Sequence, residues 1–89
     1  MDTKTFNFNF DVTIAGAKTR DVTARNPKIG DLIDVKKMGF HEEEIEAALA
    51  AHLIGVAYEE YREWPAAAYL EVGRWLRPLV GLSGATSGN

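Results

Sequence analysis

Phe6, Phe8, Phe10, Val12 and Ile14 alternate without a break with Asn7, Asn9, Asp11 and Thr13. Successive side chains of an extended chain point to opposite faces, so this order reads as a strand with one apolar and one polar side. Coiled into a helix, the same phenylalanines would scatter around the axis and share no core. Parity places Phe8 and Phe10 on the buried face. Ala15-Gly16-Ala17-Lys18 then supplies a turn, with Gly16 free to take positive φ. Thr19 to Arg25 alternates more weakly, with Val22 and Ala24 on one side and Thr19, Asp21 and Thr23 on the other. The result is a β-hairpin over residues 5–25. An isolated hairpin is marginal in water, so its phenylalanine face requires a cover.

Helices supply it. Asn26 is a good N-cap and Pro27 fits a first helical position, where its missing N–H costs nothing. Ile29, Leu32, Ile33 and Lys36 follow at helical spacing, Asp31 lies near the positive helix end, and Gly39 reads as a left-handed stop. This predicts a helix over about 27–38. Phe40-His41-Glu42-Glu43-Glu44 opens a second, over about 41–54, whose glutamates complement the macrodipole. Its stripe is Ile45, Leu49, His52 and Leu53, its alanines favour helix and close packing, and Gly55 ends it. A brief helical turn is expected around Tyr58-Glu59-Glu60-Tyr61.

Trp64-Pro65 starts a last helix, over about 65–77. Ala68, Tyr69, Val72, Trp75, Leu76 and Leu79 line one side of it. Glu71, Arg74 and Arg77 occupy the wetter side, with Glu71 and Arg74 spaced to pair. Gly73 interrupts this helix and Pro78 marks its end. These elements predict an α+β fold, an N-terminal β-hairpin packed on about three helices. One domain spans residues 1–80, and a flexible Gly/Ser tail occupies 81–89. The expected core is Phe6, Phe8, Phe10, Ile29, Leu32, Ile33, Ile45, Leu49, Leu53, Val72, Trp75 and Leu76.

Composition narrows the function. With 46% apolar and 26% charged residues the chain is globular, not disordered. The absence of cysteine excludes a disulfide, a thiolate zinc site and a thiol nucleophile. The amino terminus lacks the layout of a secretory signal, and no apolar run approaches the ~20 residues of a membrane span, so a cytoplasmic location is expected. Seven Lys and Arg against five Asp give residues 1–40 a charge of +2. Three Arg against eight Glu give residues 41–89 a charge of −5, and the net is −3. Phosphate contacts need a basic face, so neither nucleic acid nor membrane is the expected partner.

Catalysis finds little to build on. Ser83 and Ser87 lie in the tail, where nothing could fix a base or an oxyanion site for them. His41 with Glu42 or Glu44 lacks a further nitrogen ligand at metal spacing, and the glutamate run reads as a solvated helix start. His52 reads as a half-buried residue in a helix seam. Gly30 and Gly39 fit no phosphate-cradling motif. The chain is therefore expected to have no catalytic residue, metal or cofactor. A helix-turn-helix over 28–54 fits by length, but its second helix would bring three glutamates to the phosphates. A small phage-encoded DNA-binding regulator remains the alternative reading. Among Tyr58, Tyr61, Trp64, Tyr69 and Trp75, Trp75 reads as core and the first three divide evenly between core and interface, where such aromatics bury much area at low entropic cost.

The order of these signals resembles a family. After the strand pair comes Arg25-Asn26-Pro27-Lys28-Ile29-Gly30-Asp31-Leu32, similar to the Arg-x-Pro-x-x-x-Asp-Leu element of the tail assembly chaperones of tailed phages and prophages. A glutamate-rich helix start, an apolar helix ending at Leu53-Ile54-Gly55 and a final helix continue the likeness over residues 6–80. Trp64-Pro65 departs from it, standing where the family more often has a Leu-rich stretch containing Asp. The resemblance implies a non-enzymatic protein that binds the long helical tape measure protein and keeps it soluble until the tail tube polymerises. Some members of the family are also made in a second, frameshifted length, and here the tail after residue 81 is where such an extension would be grafted. An amphipathic helix in an apolar groove is the expected contact. Ala47, Ala50 and Ala51, flanked by Tyr58, Tyr61 and Trp64, are the candidate lining. Self-association through a hairpin edge is a further expectation.

Overall fold

Ala15 and Gly16 both take positive φ, 53° and 84°, and Ile14 pairs with Ala17 across them. That is the two-residue turn whose twist matches a hairpin, made here with an alanine in a conformation costing about 1–2 kcal/mol. The computed structural model describes residues 3–81. The expected tail beyond Gly81, with Ser83 and Ser87, lies outside them. Strand β1 (Thr3–Ile14) and strand β2 (Ala17–Arg25) form an antiparallel two-stranded sheet. Helices α1 (Ile29–Lys37), α2 (Ile45–Ile54), α3 (Tyr58–Tyr61) and α4 (Ala66–Val80) follow, with a 3₁₀ turn at Glu42–Glu44 before α2. The α+β architecture is the one expected, and α3 is the anticipated brief turn.

The hairpin register slips once. Pairing runs from Thr3↔Arg25 to Asn7↔Asp21 and resumes at Val12↔Thr19, so Phe8 to Asp11 stand against Arg20 alone. The bulge rotates the tip half of β2. Thr19, expected on the outer side with Asp21 and Thr23, is half-buried opposite Val12. The rest of the polar face holds cross-strand pairs, Asn7 Nδ2 donating to Asp21 Oδ1 at 2.7 Å and Thr5 facing Thr23. On the other face the rings of Phe6, Phe8 and Phe10 stack in a row, with Trp75 edge-on to Phe6 and Trp64 edge-on to Phe8. Phe10 and Trp75, at the margins of this row, are only half-buried.

Helix α2 is apolar around almost its whole circumference and is correspondingly buried. It packs against β2, α1, α3 and α4. Leu49 and Leu53 fill its contacts, while Ala48, Ala50 and Ala51 let its neighbours approach closely. The left-handed Gly55 ends it, as expected.

Helix α1 departs from expectation. It begins after Lys28, not at Asn26-Pro27, and it buries Asp31 and Val35. Ile29 and Ile33, assigned to the core from their spacing, are 78% and 48% exposed, and Leu32 is half-buried. The cause is electrostatic. Asp31 accepts two hydrogen bonds from the Arg25 guanidinium (2.9 and 3.2 Å) and one from the Lys28 backbone N–H (2.9 Å), and its Oδ1 lies 3.2 Å from His52 Nε2. A carboxylate so committed fixes the rotation of α1 and turns the isoleucines outward.

Helix α4 runs through both residues expected to break it. At Pro78 the carbonyl of Arg74 loses its amide partner, but both residues face solvent, where water replaces it. The helix ends at Gly81, whose N–H bonds to Arg77 O at 2.8 Å. Gly73 is a contact residue. A Cβ there would stand 2.5 Å from a Glu46 carboxylate oxygen and 2.6 Å from Arg77 Nη2. Its hydrogen side thus admits the ion pair of Arg77 Nε with both Glu46 oxygens (3.0 and 3.1 Å), which ties α4 to α2. Arg77 is half-buried, and no Glu71–Arg74 ion pair forms among the described residues. Gly73→Ala should gain ~1 kcal/mol of helix propensity but displace an ion pair of comparable worth. In a Glu46→Ala background only the gain remains. Urea denaturation of the parent, the two single variants and the double variant is expected to show Gly73→Ala near neutral in the parent background and stabilising in the Glu46→Ala background. Equal stabilisation in both would remove this role for Gly73.

Candidate partner-binding cleft

The segment between α2 and α4 carries most of the aromatic residues left over from the hairpin core. Trp64 is anchored first. Its indole Nε1 donates to Thr13 O in β1 at 2.8 Å, and its ring meets Tyr61 at 4.9 Å. Pro65 follows in extended conformation as the N-cap of α4. This sets Ala66 and Tyr69, one helical turn apart, beside Tyr61. Together with Ala47 of α2 and exposed Arg62, these residues line an apolar cleft of about 260 Å³. The Trp64-Pro65 ridge also walls a recess of about 310 Å³ on its other side, lined by Asp11, Glu60 and Glu63. There Glu60 accepts the Ala15 and Gly16 N–H groups at 2.9 and 3.2 Å, which holds the strained hairpin tip.

One of the residues lining the cleft carries a buried polar atom. The Tyr61 hydroxyl is shut off from solvent and has no hydrogen-bond partner among the described residues. Burial raises the phenol pKa, and nearby Glu46 and Tyr69 raise it further, so the group stays protonated and able to donate. Leaving such a group unmatched costs on the order of 1–3 kcal/mol, which the fold sustains at this side chain alone among the described residues.

The structure brings together part of the expected set. Ala47, Tyr61 and Trp64 line the cleft. Tyr58 and Ala51 instead border a smaller recess of about 130 Å³ with Met38, Phe40 and His52. There the Tyr58 ring lies 4.7 Å from Phe40 and its hydroxyl donates to Glu44 at 3.4 Å. Ala50 and Ala51 are 2% exposed and spent on core packing, so the alanine face expected to line an open groove is closed. Tyr61 and Trp64 are also buried, and they meet the cleft as its floor and wall. Arg62, Pro65, Ala66 and Tyr69 complete it without having been assigned to a site. The available signal was the spacing of Ala66 and Tyr69, one turn apart directly after Trp64-Pro65.

Other chemistries meet the geometry less well. Among the described residues no three His, Asp or Glu side chains stand close enough to share a metal ion. Glu44 caps its own turn by accepting the His41 N–H at 3.0 Å. The helix that a helix-turn-helix would lay in a DNA groove, α2, has no free face. No described helix is long and apolar enough to cross a membrane. No protein family, curated protein or solved structure matches the chain.

Proposed function

We propose that the chain is a tail assembly chaperone that acts by binding, in the cytoplasm of the host cell. Its partner is the tape measure protein, held soluble before the tail tube forms. The observation that carries the reading is the aromatic cleft, taken together with the resemblance of the Arg25-to-Leu32 element to the family's motif. A cleft of this size takes one or two apolar side chains. Rigid Trp, Tyr and Pro walls lose little entropy on binding. Each such contact is weak. A long partner with repeated apolar faces would engage many copies, so coverage is broad yet reversible.

Co-expression with the long helical protein encoded just downstream tests this. The partner should stay soluble and co-purify only when the chain is present. Ala66→Glu places a charge at the cleft mouth while suiting a helix start, and should abolish co-purification without lowering the melting temperature. Tyr61→Phe should stabilise the free chain by about 1 kcal/mol, because the unmatched hydroxyl is gone, and leave partner binding intact. Unchanged partner solubility, or full binding by Ala66→Glu, would sink the proposal.

A further inference from the structure

We draw no further inference here: the strongest candidate, the start of α4 at the cleft mouth, where Pro65 supplies no side-chain cap and Arg62 lies alongside, belongs to the cleft already described, and nothing in the structure shows what caps it.

Discussion

Trp64→Ala is expected to cost about 3–5 kcal/mol, a large share of what holds a domain of this size together. The indole joins three parts of the molecule, β1, α3 and the start of α4. It packs edge-on to Phe8 and against Tyr61, bonds Thr13 in β1, and precedes the proline that starts α4. Removing it leaves a cavity and leaves Glu60 alone to hold the hairpin tip against α3. Trp64→Phe keeps most of the ring contacts and loses the Nε1 bond, so it should cost about 1 kcal/mol. Urea unfolding followed by circular dichroism measures both. An alanine variant as stable as the parent would show the tryptophan to be surface aromatic and would discard its structural role.

Asp31→Asn should cost about 2–3 kcal/mol at neutral pH, because it removes the charge on which Arg25, Lys28 N–H and His52 converge. The cost sits at the lower end for a buried pair because Arg25 is half-exposed and regains water. Acid should erase the difference. The Arg25 guanidinium, helped by the Lys28 N–H, holds the Asp31 carboxyl at about 2, below its usual 3.8, against the opposing effect of burial. A carboxyl with a depressed pKa contributes its full stability above the unfolded value and loses it as pH falls through the folded one. Parent and variant should therefore differ most above about pH 4 and converge toward pH 2. A constant difference across that window would mean that the clasp carries no net stability.

Local periodicity revealed the parts of the fold whose partners lie nearby. Phe6, Phe8, Val12, Val22 and Ala24 are buried as their alternation demands, and the stops at Gly39 and Gly55 follow from left-handed backbone. What could not be read is set by contacts distant in sequence. Nothing near Ile29 or Ile33 announces that Arg25 and His52 will turn α1 by its aspartate. Gly73 looks like a break because its use depends on Glu46, which arrives from another helix. Glu60 looks like one more surface acid until the hairpin tip is placed over it. The same limit governs the cleft. Tyr61, Trp64 and Ala47 stood out by type, but alanine spacing could not tell an open groove from a helix closed on every side.

That closed helix also governs how the chain comes together. The hairpin face and the apolar side of α1 both exist before residues 45–54 do, and each waits for α2 to cover it. The later helices dock on α2 in turn. A hairpin alone is only marginally stable, whereas an alanine-rich segment samples helix within a microsecond and can present its surface early. The least distinctive stretch of the sequence, Ala47 to Ala51, is thus the template on which the rest condenses. Substitutions that lower the helicity of that segment should therefore slow folding as well as weaken the fold.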